Sequence, residues 1–258
     1  MTSEEPVLLV SRRGATIVAT LNRPAKGNAL NTALIDALDG LAQQIEKTWP
    51  DADGPRVLVV TGIGAKAFSA GADVTELDGI DAPAARAQMR HGQLVFDRLE
   101  QLPVAVIAAV NGFALGGGLE LAMAADVRIA VPGAKLGQPE ITLGNLPGWG
   151  GTQRLPRLVG RGRAAELIFT GELITAQRGY ELGLVNQLAD NALAAATDLA
   201  ERIAARNPVA VRGAKRAIRA GLEDGVAAGL VVEADEVARC CETEAQRAAV
   251  QAFLHRKK

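Results

Sequence analysis

The chain has 258 residues, enough for one large domain or a domain with a helical appendage, and a chain near this length buries roughly three quarters of its unfolded surface. Its 28 basic and 29 acidic residues leave a net charge of -1, and 48% of the residues are hydrophobic; the basic excess of a dedicated nucleic-acid binder is missing. Cys240 and Cys241 are adjacent, so they supply neither a spaced disulfide framework nor a C-x-x-C frame, and no metal site is expected. The start, Met1-Thr-Ser-Glu-Glu-Pro6, is acidic where a secretory signal is basic and then apolar. Glu120 interrupts the longest apolar run, which falls short of the roughly 18 residues of a membrane helix. A cytoplasmic location with no membrane partner is the expectation.

In chain order, the β-branched runs Val7–Val10 and Ala15–Leu21 flank the turn-like Arg12-Arg-Gly14 and predict a hairpin. Residues Asn31–Lys47 place Leu34, Ile35, Leu38, Leu41 and Ile45 at helical spacing, with Asn31 as N-cap. Arg56–Thr61 and Val104–Val110 are continuous apolar strands that need both faces covered, separated by a helix from Ala84 to Leu102. A glycine run, a short helix through Glu120–Ala125 and a strand Val127–Val131 follow; this alternation implies an α/β core with parallel strands. After Gly150 the texture becomes helical, with predicted helices at Arg163–Thr170, Ala176–Gly183, Asn191–Arg206, Val209–Gly221 and Gly225–Cys241. Thr243-x-x-Gln246 fits a capping box opening a last helix, whose apolar stripe packs on the core or on a second subunit.

Three glycine- or proline-marked frames carry the chemistry. Asn111-Gly-Phe-Ala-Leu-Gly-Gly-Gly-Leu-Glu120 and Gly137-Gln-Pro-Glu140 each deliver a carboxylate, the pairing an enzyme needs when one group takes a proton and another gives one. Gly116 and Gly117 lie where a strand-derived loop enters a helix, so bare amides there would bind an oxyanion. Glu120 stands one turn further along the same face. Ala70-Gly-Ala72, before Asp73, offers a second amide from another loop, and two converging amides make an oxyanion hole. Gly62-Ile-Gly-Ala-Lys-Ala67 also fits a dinucleotide fingerprint, with Asp81 near the ribose distance, but Ser69-Ala-Gly-Ala72 breaks the helix that should hold the pyrophosphate.

Across nearly its whole length the chain resembles the enoyl-CoA hydratase (crotonase) family. The matching segments are Asn22-Arg-Pro-Ala-Lys-Gly-Asn-Ala-Leu30, Lys66-Ala-Phe-Ser-Ala-Gly-Ala-Asp73, Ala108–Glu120, Gln138-Pro-Glu140 and Pro147-Gly-Trp-Gly-Gly-Thr-Gln-Arg154. The resemblance implies a spiral of β-β-α turns over residues 1–190 and a helical oligomerisation region over 191–258, assembling as trimers or dimers of trimers. It implies hydration of a trans-2-enoyl-CoA to a 3-hydroxyacyl-CoA, as a hydro-lyase of fatty-acid metabolism. Ala72 and Gly117 match the amides that hold the thioester oxygen, and Glu120 and Glu140 the two catalytic glutamates. Lys26, Asn28 and Ala29 match the loop that receives coenzyme A, and Ala70, Gly71, Asp73, Gly116 and Trp149 line the substrate site. No resident cofactor is implied, because coenzyme A enters with the substrate. Retention of both glutamates favours hydration over an enoyl isomerase or another acyl-CoA reaction of this fold. Trp149 departs from the small residue common between those glycines and either reshapes the acyl pocket or fills the core.

A reading from another class rests on Arg212, Lys215, Arg216 and Arg219, which form one basic helix face that could meet RNA phosphates. The acidic run of Glu223, Asp224, Glu233, Asp235 and Glu236 makes a balanced, solvated face the better account.

Overall fold

The computed structural model describes residues 5–49 and 51–255; the acidic start of the chain and the tail after His255 lie outside them. Strands β1 (Leu8–Arg13) and β2 (Thr16–Leu21) pair antiparallel, with Leu8 opposite Leu21 and Arg13 opposite Thr16. Arg12 and Arg13, predicted in the turn, belong to β1 instead, and the chain reverses at Gly14 with φ 58°. An edge strand tolerates such residues because its exposed side chains reach water. Helix α1 (Thr32–Thr48) starts where predicted: the Asn31 side chain accepts from the Leu34 N–H at 3.1 Å, a cap contributing about 1 kcal/mol.

Three successive units then repeat one pattern. They are β3 (Val57–Gly62), β4 (Ala67–Ser69) and α2 (Ala82–Gln101); β5 (Ala105–Val110), β6 (Phe113–Leu115) and α3 (Gly117–Met123); and β7 (Val127–Ala130), β8 (Lys135–Gly137) and α4 (Gly151–Val159). The chain continues through α5 (Arg161–Thr170), β9 (Ile174–Thr175), α6 (Ala176–Glu181), β10 (Gln187–Leu188) and α7 (Ala192–Ala204). It closes with α8 (Pro208–Glu223), α9 (Val226–Cys241) and α10 (Glu244–His255). In each unit the first strand joins a sheet ordered β1-β2-β3-β5-β7-β10 and the second a smaller sheet ordered β4-β6-β8-β9. Pairing is parallel throughout except at β1–β2 and β8–β9. Each unit is therefore one turn of a β-β-α spiral, the fold that the resemblance implied.

Every residue of β3 and β5 is buried, as their unbroken apolar runs require. One face packs on α1 and α2 through Leu38, Leu58, Phe96 and Val106; the other is covered by Ala192, Ala196 and Ala200 of α7. The strands of the smaller sheet are two or three residues long and leave no period-2 signature, so none was predicted. Helix α4 also escapes prediction because Pro156 lies inside it and reads as a breaker. Asp81, weighed above as a ribose ligand, caps α2 by accepting from the Ala84 N–H at 2.8 Å, and β3 is followed by a strand rather than a helix. The pyrophosphate reading has no helix to stand on.

The basic stripe of α8 is consumed by carboxylates. Arg212 and Arg216 converge with Arg239 on the buried Glu236, Lys215 reaches Asp126 at 2.8 Å, and Arg219 reaches Asp97 at 3.1 Å and Glu223 at 2.9 Å. Thr243 Oγ1 accepts from the Gln246 N–H at 3.2 Å, as its capping box predicts. Among the described residues no helix is long and apolar enough to cross a membrane.

Candidate active site

The site forms where two spiral turns bring a strand end and a helix start together. Leu30 ties down the loop after β4: its N–H donates to Gly71 O at 2.8 Å, and its O accepts from the Asp73 N–H at 2.9 Å. Ala72, between those two residues, turns its own N–H to the opposite side. There it meets α3, since a methyl group built on Gly117 would stand 3.3 Å from Ala72 N. Gly117 is the first residue of α3, so its N–H has no carbonyl within the helix. Neither amide donates to another group among the described residues. Gly116, at φ 50° and ψ -127°, makes the entry; that backbone is open to glycine alone.

Glu120 follows one turn along α3 and is buried, 1% exposed. Its Oε1 accepts from the backbone N–H of Trp149 at 2.8 Å and of Gly151 at 2.6 Å, so the carboxylate sits on the N-terminus of α4. Burial pushes Glu120 up to about 7; the nearby charge of Glu140 raises it too, while the Gly151 and Trp149 amides and Arg154 oppose the rise. Glu140 lies on a short 3-10 turn, Pro139–Leu143, opened by the fixed backbone angle of Pro139. Its carboxylate reaches α3: a methyl group on Gly116 would stand 3.0 Å from its Oε1. Burial pushes Glu140 up to about 6. The two acids thus feel each other and titrate as a pair near neutrality.

Gln138 is a site residue that motif matching passes over, although it stands inside the Gly137–Glu140 frame. It is fully buried, and with its amide nitrogen turned to the carboxylate it donates to Glu140 at 2.9 and 3.1 Å. A methyl group on Gly151 would lie 3.1 Å from the other end of that amide and 3.0 Å from Glu120 Oε1, so Gln138 borders the site beside both acids. Arg154 is also missed; it holds Glu100 at 2.7 Å and the Trp149 carbonyl at 3.0 Å, bracing the turn into α4.

Of the residues predicted to receive coenzyme A, Lys26 is exposed and borders the Ala70 loop, where the Ala70 N–H donates to Gly27 O at 2.9 Å. Asn28 is buried at φ 57° and donates to the carbonyls of Ile63 and Ala67 at 3.1 and 2.9 Å, so its side chain shapes the loop from inside. Arg23 bridges Ala29 O at 2.7 Å and Asp73 at 2.8 Å, clamping that loop to the one carrying Gly71 and Ala72. Hydrogen bonds from Thr75 and then Arg23 hold the Asp73 carboxyl below the usual carboxylate range. Asp73 therefore acts as a brace. Trp149 is buried beside Gly117. Ala72, Gly116, Gly117, Glu120, Glu140 and Trp149 are thus brought into one site, with the Lys26–Ala29 loop at its rim.

The family model described as "Enoyl-CoA hydratase/isomerase" matches residues 11–258. The chain belongs to this family. A relative named short-chain-enoyl-CoA hydratase, from Clostridium acetobutylicum, is 42% identical over 97% of this chain and 95% of its own length. A crotonyl-CoA hydratase from Syntrophomonas wolfei is 40% identical, with 97% and 96% covered. The crystal structure of an enoyl-CoA hydratase from Bacillus anthracis superposes with a TM-score of 0.91 at 40% identity, covering 97% of this chain and 96% of that one. Named hydratases at about 40% identity over nearly all of this chain make it an enzyme of this family.

Proposed function

We propose that this enzyme adds water to trans-2-enoyl-CoA thioesters to give 3-hydroxyacyl-CoA. The observation that carries the reading is the convergence of two carboxylates with raised pKa values on a pair of backbone amides with no partner of their own among the described residues. The Ala72 and Gly117 N–H groups hold the thioester oxygen and polarise the conjugated double bond, as preformed donors do for a developing oxyanion. A water between the carboxylates gives one proton to Glu120 while its oxygen bonds to the β-carbon; the α-carbon takes a proton from Glu140, and the enolate collapses to the thioester. The productive form of the singly protonated pair has Glu120 ionised and Glu140 holding the proton, and the shared water lets the proton pass between them.

Loss of the enoyl-thioester absorbance when the protein meets crotonyl-CoA is the direct test; persistence of that absorbance with both short and long enoyl-CoAs would refute the reading. Its pH dependence has a definite sign. Below about 6 both acids are neutral and no base is present; above about 7 both are ionised and no proton is held. We expect kcat/KM to be bell-shaped, with apparent limbs near these values. A flat profile from neutrality to pH 9 would show that the pair supplies no proton. Gln138→Leu removes the donors to Glu140 and should move the acidic limb to higher pH; an unmoved limb would sink the role given to Gln138.

The residues exposed on α8 and α9 support assembly into trimers or dimers of trimers through the region after residue 190. Ile218, Leu222, Val226 and Leu230 are 65%, 67%, 74% and 58% exposed, an apolar face that a second copy would cover.

A further inference from the structure

The thioester oxygen is assigned to the Ala72 and Gly117 amides and the β-carbon to the neighbourhood of Glu120. Carbons beyond the β position therefore run away from the amides and past that carboxylate. Trp149 borders that carboxylate, its backbone N–H donating to Glu120 at 2.8 Å. Its indole is 4% exposed and wedged between two helices. A methyl group built on Gly117 would lie 2.5 Å from the ring's Cζ3 and 2.6 Å from its Cε3; one built on Gly92 of α2 would lie 2.4 Å from Nε1 and 2.5 Å from Cδ1. Real contacts are longer, so the indole fits only because both positions are glycine. Phe96, one turn along α2 from Gly92, holds the ring edge-on at 5.6 Å and 75°.

Behind the indole, Thr32, Ile35, Glu76, Gln88, His91 and Gly92 close the space to about 10 Å³. That volume admits about one water and no hydrocarbon chain. Its walls are also poor partners for methylenes: the indole Nε1 and Gln88 Oε1 are both buried there without a hydrogen-bond partner among the described residues. A tryptophan that merely fills a core generally finds a partner for its N–H. This one sits against the amide donor of the proposed oxyanion hole with its N–H unspent.

We propose that Trp149 is a chain-length stop, which restricts the enzyme to short enoyl-CoAs with only a few carbons beyond the β position. The proposal rests on the hydratase reading for the direction of the acyl chain, and it assigns the limit to one side chain rather than to the fold.

The experiment compares wild type with Trp149→Met and Trp149→Ala, folding being followed by far-UV circular dichroism. Each is assayed for kcat/KM on crotonyl-CoA and on trans-dec-2-enoyl-CoA, and for the Kd of butanoyl-CoA and decanoyl-CoA by calorimetry. Since a single methylene without room changes kcat/KM by about 10- to 200-fold, the wild type should favour the four-carbon substrate by at least about a hundredfold. That preference should shrink at least about tenfold in Trp149→Ala, with Trp149→Met between the two. Because the ratio is taken within each protein, a general loss of rate does not mimic the effect. A wild type that binds decanoyl-CoA as tightly as butanoyl-CoA overturns the stop whatever the variants do, and so does an unchanged ratio in a folded Trp149→Ala protein. The saturated thioesters cannot be hydrated, so their binding tests the stop even for a protein that leaves crotonyl-CoA unchanged, a result that would sink the hydratase reading alone.

Discussion

Replacing Glu120 by Gln is expected to lower crotonyl-CoA turnover by at least roughly a hundredfold while leaving the fold intact. The geometry separates the two effects. Both backbone donors, Trp149 and Gly151, bond to Oε1, an acceptor that a glutamine carbonyl reproduces in place. What the variant cannot do is accept a proton from water. Stability should even rise, and the pH at which it rises is fixed by linkage. Because the folded value of Glu120 lies near 7 rather than 4.5, the native state keeps its proton after the unfolded chain has lost it, so this group's contribution falls as pH climbs from about 4.5 to about 7. The full fall corresponds to about 3 kcal/mol at most, an order of magnitude rather than a measured cost. Glu120→Gln should therefore unfold at higher urea than wild type at pH 8 and show little or no gain at pH 4. Glu140→Gln is expected to lose a comparable factor in turnover with a smaller stability gain, since Glu140 is raised only to about 6. Near-normal turnover in either variant removes that residue from the acid–base pair.

The frames around Glu120 and Glu140 are legible in the sequence because glycine and proline at those positions serve backbone geometry, which leaves a fixed local spelling. Gly116 must be glycine for its φ of 50°, and Pro139 must precede Glu140 to open its turn. The long strands and helices are legible for the same reason at larger scale: each carries a full period of apolar residues, and α1 starts within one residue of its predicted cap. What holds the charge on Glu120 is not legible. Its partners lie 29 and 31 residues away on the turn into α4, a helix that the internal Pro156 disguises. Gln138 and Asn28 show a second kind of blindness. Both belong to quoted motifs, yet only their burial and bonding reveal that one donates to Glu140 and the other pins a loop from within. The basic stripe on α8 illustrates the converse, for its periodicity is real but its partners, Asp97, Asp126 and Glu236, come from three other segments.

Gly117→Ala is the other substitution with a large expected effect, a loss of about a hundredfold or more in kcat, the range measured when one oxyanion donor is removed. Alanine suits the first position of a helix, so the backbone of α3 does not forbid it. The damage comes from where its methyl group points. It would lie 3.3 Å from the Ala72 nitrogen, at the mouth of the proposed hole, and 2.5 Å from the Trp149 ring, which must then move. These two consequences separate in a double variant. Trp149→Ala removes the ring conflict and leaves the methyl group beside the Ala72 amide. If obstruction of the hole governs the loss, Gly117→Ala should stay about a hundredfold below its parent in the Trp149→Ala background too. Full recovery in the double variant would place the damage in the displaced indole and leave the two-amide hole without support from this substitution. Binding sharpens the distinction, since an obstructed hole weakens kcat on crotonyl-CoA far more than the Kd of coenzyme A itself, which carries no acyl oxygen to hold.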